Sequence, residues 1–312
     1  MNTLLPSVIV CAGFTLLLAA PARPDILNLS QNNGVIAKFN GGTVGTSFAS
    51  GLGLPTGIAF DTAGNLFISE LSHRRIMKAS PSGAVSVFAA SGLLQAVCIA
   101  FDRAGNLYAA DQGDATIVKF TPNGVRSVFA RAGVGWVTGM AFDAADNLYT
   151  ANSEDGTIMK FTPSGGRSVF AYTGAPFMGG LAFDSAGNLF LAEPSLYGSQ
   201  ISKFTPAGVR STFISSSALL DTRGLAFDSA GNLYASYASQ GTVEKYSPTG
   251  VDLGAAASAG FYNSYFLAFT DDAGVPLPLA NQRAVPEPSA AVLLGLGLLA
   301  LPGAARSATR RR

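Results

Sequence analysis

"GLAFDSAGNLFLAEPSLYGSQISKFTPAGVRSTF", residues 180–213, contains two turns whose chemistry decides the fold. In Asp184-Ser-Ala-Gly-Asn188 the aspartate can accept backbone N–H groups two residues on, and Gly187 can take the left-handed conformation that closes a tight hairpin. In Thr205-Pro-Ala-Gly208 the proline presets the first turn position and the glycine again takes the left-handed one. Between and around the turns lie short runs of alternating apolar residues: "LAF", "NLFLAE", "QISKF" and "VRSTF". Such runs are too short for helices and have the period of half-buried strands. The stretch therefore reads as four antiparallel strands, A to D.

The same unit recurs along the chain. "GIAFDTAGNLFISE" (57–70), "CIAFDRAGNLYAAD" (98–111), "GMAFDAADNLYTAN" (139–152) and "GLAFDSAGNLYASY" (224–237) repeat its first half, and "SPSG", "TPNG", "TPSG" and "SPTG" repeat its second turn. The first-turn aspartates stand at 61, 102, 143, 184 and 228, a period of 41 residues that widens to 44 at the last step. In the third copy Asp146 replaces the turn glycine, and aspartate tolerates the left-handed conformation. A period near 40 residues made of four short strands is the pattern of β-propeller blades. Residues 25–50 supply strands B, C and D of a further blade, while the degraded copy at 266–279 supplies a clear strand A only. Pairing the two would hide both edges. The expectation is an all-β, six-bladed β-propeller over residues 23–270, closed by N-terminal strands pairing with a C-terminal strand.

The repeat resembles the NHL family and its relatives, the six-bladed gluconolactonase/regucalcin-like and virginiamycin B lyase-like propellers. The resemblance covers roughly residues 25–270 and implies the architecture. As enzymes, the lactonase-like relatives imply a divalent metal held by Glu, Asn and Asp on distinctive motifs, and no "NDG" signature is present. The lyase-like relatives imply a catalytic histidine, whereas the sole histidine here, His73, falls in the loop sequence "ELSHRRI".

With the first and second turns on one end of the blades, the D–A and B–C loops share the other end. The turns are nearly identical from copy to copy and the loops all differ, so specific binding belongs on the loop end. Strand B ends there in Glu70, Asp111, Asn152, Glu193 and Tyr237, with Ser30 in the sixth position. The four oxygen-bearing residues Glu70, Asp111, Asn152 and Glu193 could circle the axis and hold Ca²⁺. The competing reading is that each caps a local loop. Trp136, Tyr172, Phe177, Tyr197, Phe261, Tyr262 and Tyr265 also collect there, the residue types that cover apolar sugar faces. Lys78, Lys119, Lys160, Lys203 and Lys245, with Lys38, share one strand C position and point to a scaffold role beside the turn aspartates.

Two segments differ from the repeats. Residues 1–22 are an apolar, uncharged run ending in Ala20-Pro21-Ala22, the pattern of a secretory signal peptide. Its removal takes Cys11 and leaves Cys98, in the apolar run "AVCIAFD", as a core residue. After a linker at 271–284, residues 285–312 carry Pro286-Glu287-Pro288, an uncharged span at about 289–305, and then Arg306, Arg310, Arg311 and Arg312. This resembles the PEP-CTERM sorting signal. The resemblance implies processing by exosortase, a transmembrane helix held by its stop-transfer arginines, export across the inner membrane of a Gram-negative cell, and an exopolysaccharide or another envelope protein as partner. Without the four terminal arginines the remaining chain has 16 Lys and Arg against 19 Asp and Glu. That balance gives no basis for nucleic-acid binding. The expectation is a monomeric, non-enzymatic binding or scaffold module, set against a metal-dependent lactonase- or lyase-like enzyme with its site on the loop end.

Overall fold

The computed structural model describes residues 25–30, 34–40, 45–131, 136–175, 177–195, 197–218, 220–258 and 264–269. These are all strands and turns. The expected signal peptide (1–22), linker and sorting segment, including Pro286, Glu287, Pro288, Arg306, Arg310, Arg311 and Arg312, lie outside the described residues. Among the described residues no helix is long and apolar enough to cross a membrane.

The strands form four-stranded antiparallel sheets, each a simple meander. Strands β1 (Asp25–Ser30), β2 (Val35–Asn40) and β3 (Thr46–Ala49) come first. The first complete blade is β4 (Pro55–Phe60), β5 (Leu66–Glu70), β6 (Arg75–Ala79) and β7 (Val85–Ala89). The second is β8 (Ala96–Phe101), β9 (Leu107–Asp111), β10 (Thr116–Phe120) and β11 (Arg126–Arg131). The third is β12 (Val137–Phe142), β13 (Leu148–Asn152), β14 (Thr157–Phe161) and β15 (Arg167–Tyr172). The fourth is β16 (Leu181–Phe183), β17 (Leu189–Glu193), β18 (Ser199–Phe204) and β19 (Arg210–Ser216). The fifth is β20 (Thr222–Phe227), β21 (Leu233–Tyr237), β22 (Thr242–Tyr246) and β23 (Asp252–Ser258). Strand β24 (Ser264–Phe269) ends the described chain.

Five blades thus stand complete, against six read from the sequence. The strands assigned to the sixth form a sheet of order β24-β1-β2-β3, described at β1 and β24 by backbone alone. Its joint pairs Ile26 with Phe269, Leu27 with Ala268 and Asn28 with Leu267. Innermost strands pack on one another in succession, and β24 contacts both β20 and β4. They come close: a Cβ on Gly139 would lie 2.5 Å from the Gly179 carbonyl oxygen. Only glycine lets β12 approach β16 this way.

Strand B explains how the blades adhere. In β5, Leu66 and Ile68 are buried against the preceding sheet, with Ile36, Leu52 and Ile58. Phe67 points the other way and joins Ile99, Phe101 and Leu107 of the second blade. Its ring makes edge contacts with Phe88 of its own outer strand at 4.8 Å and Phe101 of the next inner strand at 5.0 Å. Tyr108, Tyr149 and Phe190 do the same, so one aromatic per blade links two blades. Each such pair contributes about 0.5–1.5 kcal/mol beyond its buried area.

The repeated lysines lie over those four rings and over Tyr234, the equivalent ring of the fifth blade. Lys78, Lys119, Lys160, Lys203 and Lys245 sit 5.0–5.4 Å from the centroids of Phe67, Tyr108, Tyr149, Phe190 and Tyr234. Each also lies 3.3–3.9 Å from its turn aspartate, at 61, 102, 143, 184 or 228. This is the scaffold role expected of them. Cys98 is buried in the core between the second and third blades, where burial pushes its thiol far above the usual range.

Candidate functional site

Because every blade is an antiparallel meander, both conserved turns fall at one end and the varied loops at the other. The strand B residues end among those loops, and the structure engages each of them separately. Glu70 is fully buried; its carboxylate accepts the Gly53 N–H and the Arg75 Nε–H, and His73 Nδ1 lies 3.3 Å away. Burial alone would raise this carboxyl, but the Arg75 hydrogen bond, the Gly53 N–H and the nearby cations outweigh it and hold the pKa low. Asp111 accepts the N–H groups of Leu94 at 2.8 Å, Gln95 at 2.6 Å and Gly113 at 3.2 Å. Asn152 donates to Thr157 Oγ1 at 3.2 Å and accepts from Thr150 Oγ1 at 3.1 Å. Glu193 takes Arg210 Nη2 on both oxygens, at 2.7 and 2.6 Å. Tyr237 shares a 2.8 Å hydrogen bond with Tyr246.

These partners belong to the residue's own blade or to the loop leading into it. The side chains therefore hold loops in place. Among the described residues no group of three or more His, Cys, Asp or Glu side chains is placed to hold a metal ion. The Ca²⁺ ring of Glu70, Asp111, Asn152 and Glu193 is not assembled here. Strand B lies second, next to the innermost strand, in each sheet. His73 is a half-exposed loop residue packed on Glu70 and Gly53.

The aromatics behave differently. Trp136, Tyr172, Phe177 and Tyr197 are 64%, 75%, 62% and 94% exposed. Trp136 immediately precedes β12, Tyr172 ends β15, Phe177 lies between β15 and β16, and Tyr197 lies between β17 and β18. All four thus crown the loop end of the third and fourth blades. Phe261 and Tyr262 lie outside the described residues, and the side chain of Tyr265 is not described.

Ser153, which the sequence did not single out, ties this crown together. Its N–H donates to the Trp136 carbonyl at 2.9 Å, and its hydroxyl accepts the Met178 N–H at 3.1 Å. One residue thus fixes the backbones beside Trp136 and Phe177, with exposed Glu154 next to it. The loop end of the third and fourth blades thus carries four largely exposed rings, two of them beside backbones that Ser153 holds, and an exposed carboxylate.

The fold is a β-propeller whose varied loop end is rich in exposed aromatics. No family model matches the chain, and no curated protein does. Solved structures do match. A chain of a nidogen/laminin complex aligns with a TM-score of 0.70 at 18% identity, covering 79% of this chain and 98% of that one. Virginiamycin B lyase from Staphylococcus aureus aligns with a TM-score of 0.57 at 13% identity, covering 80% and 82%. A putative gluconolactonase aligns with a TM-score of 0.60 at 16% identity, covering 78% and 92%. At these identities the likeness is one of fold, and the fold is shared by proteins named for binding and for catalysis.

Proposed function

We propose that the protein is an exported, exosortase-processed β-propeller whose loop end binds carbohydrate in the cell envelope or extracellular matrix, without catalysis. The observation that carries this reading is the crown of Trp136, Tyr172, Phe177 and Tyr197. Exposed rings are costly in water unless a partner covers them, and flat aromatic faces beside a carboxylate suit the alternating apolar and hydroxyl surfaces of a sugar. The Pro286-Glu287-Pro288 motif, apolar span and terminal arginines support delivery to the surface. The β24–β1 pairing and the contacts of β24 with β20 and β4 support a ring closed by a sixth blade.

Glycan-array binding of the purified protein, with and without Ca²⁺, tests the binding face. Retention of neutral oligosaccharides independent of Ca²⁺ is expected. Ca²⁺-dependent turnover of a lactone would instead favour the lactonase-like reading, and capture of a protein without any glycan would move the partner class. The mass of the exported protein's C-terminus tests processing: loss of the segment after Pro288 is expected.

A further inference from the structure

The blades are internal copies of one another, so a side chain satisfied in one blade shows what its counterpart lacks in another. Arg210 opens β19 opposite Phe204, and Arg126 opens β11 opposite Phe120. Arg210 is fully engaged: Nε donates to Ser202 Oγ at 3.0 Å, Nη1 to the Thr173 carbonyl at 2.5 Å, and Nη2 to both oxygens of Glu193. The second blade replaces two of those partners. Val118 stands where Ser202 does and offers no acceptor. Asp111 stands where Glu193 does, and its oxygens are taken by the N–H groups of Leu94, Gln95 and Gly113.

Arg126 Nε is consequently buried with no hydrogen-bond acceptor among the described residues. The side chain runs beneath the loop at Gly92, where a Cβ would meet Nε at 3.0 Å. That glycine has φ +73°, as its counterpart Gly174 in the loop beside Arg210 has φ +65°. The guanidinium thus lies against the loop between the first and second blades with its carboxylate partner missing. A planar fork of donors held this way matches a carboxylate bidentately.

We propose that Arg126, beside the loop between the first and second blades, is a subsite for an external carboxylate, that of a uronic acid residue in an acidic polysaccharide. It sharpens the carbohydrate reading by giving the ligand a charge, but does not depend on the aromatic crown. The unanswered Nε costs stability and lies out of reach of an external carboxylate, which would be taken by the two Nη groups of Arg126. Removing Arg126 should therefore leave the free protein no less stable, whereas removing Arg210 should not.

The experiment compares polygalacturonate with its methyl-esterified, uncharged form, with free galacturonate as a third arm, on the full chain. The charged polymer is expected to bind about tenfold more tightly than the ester, the scale of one charge-assisted bidentate pair. Arg126→Gln should abolish that preference with no fall in Tm. Arg131→Gln, which removes an exposed arginine of the same strand, should keep it. A thermal shift with free galacturonate that Arg126→Gln loses would show that the carboxylate suffices outside a polymer. Equal binding of charged and esterified polymers, a preference surviving Arg126→Gln, or a Tm drop of several degrees in that variant would each overturn the proposal. Loss of neutral-glycan binding on changing Trp136, with the charge preference intact, would separate the two sites.

Discussion

Replacing Asp184 by alanine tests whether the first turn of each blade is held by its hydrogen bonds or by its ion pair. Asp184 Oδ1 accepts the N–H groups of Ala186 at 3.0 Å and Asn188 at 2.8 Å, and Oδ2 accepts Asn188 Nδ2 at 2.7 Å. Lys203 Nζ lies farther off, at 3.8 Å from Oδ2. Alanine removes three charge-assisted hydrogen bonds at a half-buried site where water can replace part of each. The loss should total about 3 kcal/mol, from roughly 1 kcal/mol per bond. In a domain of this size that lowers Tm by about 6–12 °C. Lys203→Met removes a partly exposed ion pair and the contact over Phe190, and should cost about 1 kcal/mol or less. Asp143 makes the same three bonds at 2.9, 2.9 and 2.8 Å and also accepts the Tyr149 hydroxyl at 3.3 Å, so Asp143→Ala should cost at least as much as Asp184→Ala. Differential scanning calorimetry of the three variants decides it. A shift below about 2 °C for Asp184→Ala, or one equalled by Lys203→Met, would refute the assignment.

Other perturbations follow from single residues. Ala115 has φ +52° at the loop position where the third and fifth blades have Gly156 and Gly241, both also with positive φ. Ala115→Gly should therefore stabilise the protein by about 1 kcal/mol, read by denaturant midpoint. Burial, then the charge of Asp252, raises the pKa of Glu244 above 4.5. Its proton is bound more tightly in the folded state, so the native form is favoured at low pH and loses stability as pH rises through that raised value. Glu244→Gln should raise Tm at pH 7, with the gain vanishing below about pH 4.5; a gain unchanged across that range would count against the cause. Glu70, held low, has the opposite sign. Its contribution is complete above pH 4.5 and is lost as pH falls through its depressed value, so Glu70→Gln should destabilise at neutral pH and much less in acid.

Much of the fold was legible because the repeat states it twice per blade. Asp184 and Thr205 announce their turns by chemistry alone, and the 41-residue spacing turns those hairpins into blades. The shared lysine position was likewise legible, since its ring and its aspartate recur at fixed offsets. Of the two readings open for the strand B ends, local capping fits the observed hydrogen bonds, for a geometric reason. Glu70, Asp111, Asn152 and Glu193 occupy equivalent positions, but equivalence within a blade does not make side chains converge across blades. Whether each meets an arginine or a backbone amide depends on loops that the repeat does not fix. Glu193 finds Arg210 across two strands, and Asp111, one methylene shorter, turns to the Leu94–Gln95 backbone instead. The role of Ser153 in joining the Trp136 and Phe177 loops, and the unanswered Nε of Arg126, have the same origin. Both arise where neighbouring blades meet, a relation that no single copy of the repeat contains.

The most direct test is the affinity of the protein for neutral oligosaccharides, measured calorimetrically for the native chain and for Trp136→Ala with Tyr197→Ala. Both rings are largely exposed, so the double variant should keep its Tm while losing about 5- to 150-fold in affinity, from about 1–3 kcal/mol of lost ring contact. Unchanged affinity in a variant of native stability would contradict the assignment of the aromatic crown as the binding face.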